Sequence, residues 1–220
     1  MPVPAMLPDF ARDNVLQLLD SNIAPRLWIG NRVTVQTHYD LSSNVACVVA
    51  GRRRFTVFPP EQLVNLYVGP LEFTLARQPI SMVRLDAPDH DKFPRFRAAL
   101  DAAQTAELGP GDAIFIPYMW WHHVESRENF NVLVNYWWDD APAWAGSPFE
   151  TLIHALSSIR SLPPQRREIW KQVFDHYVFN GDDPVAHLTE MQKGMQGKPS
   201  PQIAEFIRQS LLRALSRKRW

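Results

Sequence analysis

The sequence predicts a mainly β chain, a sandwich or barrel of short strands, followed by a helical region. Three observations carry this. Up to Pro142 the chain is a series of short runs rich in Val, Ile, Phe and Trp, broken by Gly, Pro and Asp. That punctuation suits layered antiparallel strands better than a parallel α/β sheet. Beyond Pro142 the apolar residues recur at helical spacing instead. The 45% apolar content over 220 residues is enough for one buried core plus an appendage.

Taken in order, residues 8–20 read as a short helix opening on Pro8, with Phe10, Val15, Leu18 and Leu19 on one side. Strands are expected at 27–30, 33–38, 44–50, 53–58 and 81–86, around Glu107, and at 113–116, 122–126 and 132–138. Each is bounded by turn residues. Ser147, Pro148, Phe149 and Glu150 read as a capping box with proline at the first helical position, and Leu152, Ile153 and Leu156 continue the helical spacing. Further helices are expected from Pro164, with Ile169, Trp170, Val173, Phe174 and Tyr177, and from Ser200, with Ile203, Phe206, Ile207, Leu211 and Leu215.

Charge and composition exclude several classes. Lys and Arg total 23, as do Asp and Glu, so no global basic field points to nucleic acid or an anionic membrane. The basic cluster Arg217-Lys218-Arg219 reads as a solvated helix end. The single cysteine, Cys47, lies in the apolar run Val45-Ala46-Cys47-Val48-Val49 and reads as structural. One cysteine forms no intramolecular disulfide and suits a reducing compartment. No apolar stretch approaches the ~20 residues of a membrane span and no signal-peptide pattern opens the chain, so a cytoplasmic location is expected.

The chemistry concentrates in His38-Tyr39-Asp40 and, far downstream, Trp120-Trp121-His122-His123-Val124-Glu125-Ser126. Residues i and i+2 of a strand share a face, so His38 and Asp40 can bind one ion together. The segment 32–38 is β-branched and alternating, which favours a strand there. A zinc-binding helix would need histidines at i and i+4, and His38 has no such neighbour. Two imidazoles and one carboxylate are the set that holds non-haem Fe(II) on one face and leaves positions open for substrate and O₂. Adjacent strand residues face opposite ways, so only one of His122 and His123 can complete the set. His90, His154, His176 and His187 have no ligand-like context.

These residues, with Asn44, Gly51-Arg52-Arg53-Arg54, Phe58-Pro59-Pro60, Gly109-Pro110-Gly111-Asp112, Ile116-Pro117 and Asn135-Tyr136-Trp137, resemble the cupin-like JmjC oxygenases. Within that group the chain is similar to the asparaginyl hydroxylase that inhibits the hypoxia-inducible factor. The match runs in order from about Trp28 to Pro142, roughly half the chain. It implies a double-stranded β-helix (jelly-roll, cupin/JmjC type) followed by a C-terminal helical region, with Fe(II) as metal and 2-oxoglutarate as co-substrate. It selects His122 over His123, giving His38, Asp40 and His122 as catalytic metal ligands. The distal carboxylate of a 2-oxo acid needs an internal cation. Arg53 is the candidate, standing fifteen residues after His38 where the related hydroxylase has lysine. Alternation sends Arg52 and Arg54 to the outer face. The resemblance also gives Asn44 and Asn135 a place near the metal-bound end of the co-substrate, Trp137 a place lining the pocket, and a helper threonine near the first histidine, at a spot that Val35 occupies in an ungapped match and that Thr34 and Thr37 flank, with Thr37 taken as the candidate.

The expected organisation is a lead-in at 1–26, the β domain at 27–142 and a helical region at 143–220. Only about 26 residues precede the first matched strand, fewer than relatives carry, so a shortened form is expected. Related hydroxylases dimerise through C-terminal helices, which implies a homodimer. The predicted activity is a hydroxylase acting with O₂ on a protein side chain, peptide or small molecule. The alternative is a non-catalytic cupin-like binding protein.

Overall fold

The computed structural model describes residues 2–72 and 78–216. The chain divides into two compact units, Met1–Asp140 and Ala141–Trp220. In the first, eight strands among the described residues form two four-stranded antiparallel sheets. They are β1 (Arg26–Gly30), β2 (Thr34–Tyr39), β3 (Ser43–Ala50), β4 (Arg53–Phe58), β5 (Gln104–Leu108), β6 (Ala113–Ile116), β7 (Trp121–Ser126) and β8 (Asn131–Trp138). One sheet has the order β1-β8-β3-β6, the other β2-β7-β4-β5. This is the expected mainly β, cupin-type architecture with helices at the C-terminus.

Alternation along the strands sorts the side chains into layers. Ala46, Val48, Ile116 and Leu133 from the first sheet pack with Phe55 and Val124 from the second, forming the core between the sheets. On the outer face of the first sheet Leu27, Val134 and Tyr136 are covered by Val3, Phe10, Leu16, Leu19 and Ile23. On the outer face of the second, Tyr39, Phe58 and Trp121 pack under Leu66, Val83, Phe96 and Ala99 from the long 59–103 connection.

Two expected elements differ. Of the helix expected at 8–20 only α2 (Pro8–Asp13) forms, and a further short helix, α1 (Val3–Met6), precedes it. Asn14 ends α2 by turning both its backbone N–H and its side-chain amide onto the Phe10 carbonyl. Leu16 and Leu19 then fold onto the sheet, while Val15 and Leu18 are 64% and 88% exposed. The segment 81–86 forms no strand. Its polar groups tie it to neighbouring segments instead: the Ser81 hydroxyl donates to the Leu66 carbonyl and accepts from the Val83 N–H, and the Ser81 N–H donates to the Thr37 carbonyl. The segment thereby caps the second sheet from outside, and α3 (Phe96–Asp101) completes that cover.

Gly51 sets the β3–β4 hairpin that presents Arg53. Its φ is +75°, and a Cβ there would lie 2.4 Å from Asn131 Oδ1 and 2.6 Å from the Phe130 carbonyl oxygen. The backbone oxygen is fixed in the approach to β8, so the contact cannot relax. Gly51→Ala should destabilise the protein by roughly 2–5 kcal/mol, combining left-handed strain with overpacking. Chemical denaturation measures this, and a loss below ~1 kcal/mol would show that the hairpin can shift.

The second unit holds α4 (Pro148–Ser158), α5 (Pro164–Phe174), α6 (Glu190–Lys193) and α7 (Pro201–Ser216). Ser147 caps α4 by accepting from the Phe149 N–H. No residue of α4, α5 or α7 is buried. Arg217, Lys218 and Arg219 lie outside the described residues. Among the described residues no helix is long and apolar enough to cross a membrane.

Candidate metal centre

His38 on β2 and His122 on β7 are register partners, with ring centroids 4.2 Å apart. Asp40 follows β2 directly, and its Oδ2 lies 3.7 Å from His122 Nε2. The ligand atoms of His38, Asp40 and His122 all fall within 4.8 Å of one another, and no other such cluster of His, Cys, Asp or Glu exists among the described residues. That spread is close to what bonds of roughly 2.0–2.2 Å to one ion allow.

The surroundings orient the ligands. His38 Nδ1 lies 2.8 Å from the Gln36 carbonyl and His122 Nδ1 lies 3.1 Å from the Trp120 carbonyl. A carbonyl only accepts, so both Nδ1 atoms carry the hydrogen and both Nε2 lone pairs are free for a metal. Gln78 Nε2 donates to Asp40 Oδ1 at 3.2 Å, holding the carboxylate from the other side. The Met119 N–H donates to the Asp40 carbonyl, tying the loop before β7 to the end of β2, and Met119 adopts a left-handed φ of 63° there. Gln78 was invisible in the sequence, being an isolated polar residue in a connection thirty-eight positions after Asp40.

Burial, reinforced by the neighbouring His38, pushes His122 down from 6.5 to about 4, against the opposing pull of Asp40 and the Trp120 carbonyl. The imidazole is therefore neutral and ready to ligate at neutral pH. Between about pH 4 and 6.5 the unfolded chain protonates this residue while the folded chain does not. Stability of the metal-free protein should accordingly rise with pH across that window, be complete above it, and fade as pH drops towards 4. Denaturation midpoints at stepped pH check this. A His122→Gln variant should lose the slope, and one that retained it would place the proton elsewhere.

The inner faces of the two sheets carry the other polar candidates. Asn44 and Asn135 are both buried and joined by a hydrogen bond, Asn135 Nδ2 donating to Asn44 Oδ1 at 2.7 Å. Trp137 shares Asn135's face of β8. Its ring packs edge-on against Trp28 at 5.9 Å and under the Arg26 guanidinium at 5.4 Å, and its indole N–H is buried without a partner. Arg53 is 6% exposed and shares a face of β4 with core residue Phe55. Its Nε is buried without a partner, and burial lowers its pKa. Arg54, on the other face, is ion-paired with Glu107.

Thr37 does not join this group, which corrects the expectation for it. It is buried on the opposite face of β2, with Oγ1 3.3 Å from His123 Nδ1. Alternation sends residue 37 outward when residue 38 points inward, and the register shift between Val35 and His38 does not restore it. His123 is buried on that outer face, away from the cluster, and burial lowers its pKa.

Comparison with known proteins agrees with this geometry. Residues 2–143 match the family described as Cupin-like domain. The chain belongs to that family. Over 102 residues this cupin-like chain is 39% identical to Lysine-specific demethylase JMJ31 of Arabidopsis thaliana, covering 46% of the chain and 18% of the relative. It is 30% identical over 188 residues to the HSPB1-associated protein 1 homolog of Danio rerio, covering 81% and 40% respectively. It is 31% identical over 149 residues to tRNA wybutosine-synthesizing protein 5 of Mus musculus, covering 61% and 44%. The chain thus spans less than half the length of each of these relatives.

Proposed function

We propose that this chain is an Fe(II)- and 2-oxoglutarate-dependent oxygenase that hydroxylates a C–H bond of a protein side chain or small molecule. The observation that carries the reading is the His38, Asp40, His122 cluster with both Nδ1 atoms tied to carbonyls. Two histidines and one carboxylate with open positions suit non-haem Fe(II). The donor set therefore fits the metal, and the buried, unpartnered Nε of Arg53 on the inner side of the same sheet fits an anionic co-substrate.

Bound together, Fe(II) and a 2-oxo acid supply O₂ activation and the oxidant for hydroxylation. The protein's own part is to fix the ligands through Gln36, Trp120 and Gln78, to hold the co-substrate carboxylate at Arg53, and to keep the site dry with the inner apolar layer. Asn44 and Asn135 offer amide groups beside the metal-bound end of the co-substrate. Similarity to relatives named as lysine demethylases is compatible with a hydroxylase, because removal of an N-methyl group begins with hydroxylation of its C–H bond. The balanced charge of the chain disfavours a nucleic-acid substrate, and the single cysteine suits the cytoplasm. The helical unit is assigned to pairing with a second copy of the chain.

The test is succinate release by Fe(II)-loaded protein given 2-oxoglutarate and O₂, since uncoupled turnover needs no primary substrate. Release that depends on His38 and Asp40 supports the oxygenase. Metal and 2-oxoglutarate binding without any turnover would instead support a non-catalytic binding protein.

A further inference from the structure

We infer that Arg26, stacked on the Trp137 ring at the rim of the β unit, sets the charge of the primary substrate: it selects one that carries a carboxylate near the oxidised C–H bond and rejects a cation such as a methylated lysine. This rests on the oxygenase reading above and gives that site its substrate class. Register fixes which way Arg26 points. Ala46 lies in the core between the sheets, Asn135 is its partner on β8, and Arg26 is the partner of Asn135 on β1. Register partners share a face, so Arg26 projects to the inner side, as does Trp28 two residues on. Leu27 between them packs under the N-terminal cover.

Chain connectivity fixes which end of the sheets it occupies. β2 ends at the metal ligands, and β3 opens at Ser43, three residues after Asp40. Ser43 and Asn44 pair with Trp138 and Trp137, the last residues of β8, and Arg26 opens β1 alongside. The start of β1 and the end of β8 therefore flank the end that carries His38, Asp40 and His122. Arg26 is exposed and Trp28 is 51% exposed, whereas His122 is buried. They form a rim that an incoming molecule meets before the metal.

Three side chains build this rim as a unit. The Arg26 guanidinium lies 5.4 Å from the Trp137 ring centroid, and Trp28 meets the same ring edge-on at 5.9 Å. Stacking holds the guanidinium plane and leaves its N–H edge to donate. Arg54, Arg84 and Arg127 are each paired with a carboxylate, but among the described residues Arg26 forms no ion pair. The indole N–H of Trp137 is buried with no acceptor. Both groups only donate, and a carboxylate, with about four acceptor sites, takes an arginine fork and a further hydrogen bond together. A cationic side chain meets the opposite, because the aromatic face that would attract it already carries a positive charge. Asp139 and Asp140, just beyond β8, are exposed and screened, so the direct contact with Arg26 decides the preference.

The experiment loads the chain with Mn(II) and 2-oxoglutarate and measures binding of three fluorescent peptide pools by polarisation. The pools have a randomised centre flanked by Glu, by Gln or by trimethyl-lysine, and a set of short-chain carboxylic acids is titrated separately by calorimetry. The Glu pool should bind roughly 10-fold or more tightly than the trimethyl-lysine pool, the worth of a hydrogen bond to a charged group. A free acid as the source of the carboxylate would show instead as binding of the small acids while every pool fails, with the same dependence on Arg26. Arg26→Gln should remove the preference, Arg26→Glu should turn it towards trimethyl-lysine, and Arg26→Lys, which keeps the charge without the planar fork, should retain only part of it. Thermal melts check that the variants fold. Equal binding of the Glu and trimethyl-lysine pools, tighter binding of trimethyl-lysine, binding of no pool and no acid, or a preference that survives Arg26→Gln would overturn the inference while leaving the oxygenase reading intact. Wild-type protein that binds Mn(II) but no 2-oxoglutarate would remove that reading, and the same titrations on the Mn(II)-loaded chain would then judge the charge preference alone.

Discussion

His122→Ala should abolish metal binding, while His123→Ala should largely spare it. The two side chains are neighbours in sequence and are both almost fully buried, yet they lie on opposite faces of β7. His122 faces His38 and Asp40, with its Nε2 free. His123 faces Thr37 on the outer side of the same sheet. Removing a partner outside the ligand set typically lowers metal affinity ~10- to 100-fold, so loss of a ligand should exceed about 100-fold. His123→Ala should cost fold stability instead, on the order of 1–3 kcal/mol for a buried polar contact broken on one side. Calorimetric titration with Mn(II), with thermal melts alongside, separates the two effects. If His123→Ala lost the metal and His122→Ala kept it, the assignment would be reversed.

The elements most legible in the sequence were those whose side chains alternate between two apolar environments. β3 and β8 each place one row in the core between the sheets and the other against the N-terminal cover, so their β-branched patterns announced them. The 81–86 segment was misread because it has strand-like Met82, Val83 and Leu85 but is used as a cap, which composition does not distinguish. Helix 8–20 failed for a related reason: Asn14 stops it with its own side chain, and apolar residues 16 and 19 pack from turns. At the site, the H-x-D spacing brought His38 and Asp40 together by strand geometry alone. The facing of Thr37 followed from the same alternation, and the expectation from resemblance was overridden by it. Gln78 gave no signal, since a glutamine in a connection is commonplace until its contact with Asp40 shows what it faces.

The 220-residue chain should be a homodimer at micromolar concentration, held by the helical unit. The physical reason is the lack of cover for its apolar faces. α4, α5 and α7 bury none of their residues, and Ile169, Trp170, Phe206, Leu211, Leu212 and Leu215 are each 45% or more exposed. Tyr177, Val178 and Phe179, in the turn that follows α5, are 52%, 60% and 73% exposed. Large apolar groups exposed in such number on the helical unit suit a permanent, hydrophobic interface. A stable dimer needs about 1,200 Å² or more of total buried surface, which faces of this length can supply. Light scattering should therefore give twice the chain mass, and a truncation after Pro142 should run as a monomer. Trp170→Asp combined with Phe206→Asp in the full chain should dissociate the dimer without the truncation. A monomeric wild-type protein would remove the pairing, and a dimeric truncation would move the interface onto the β unit.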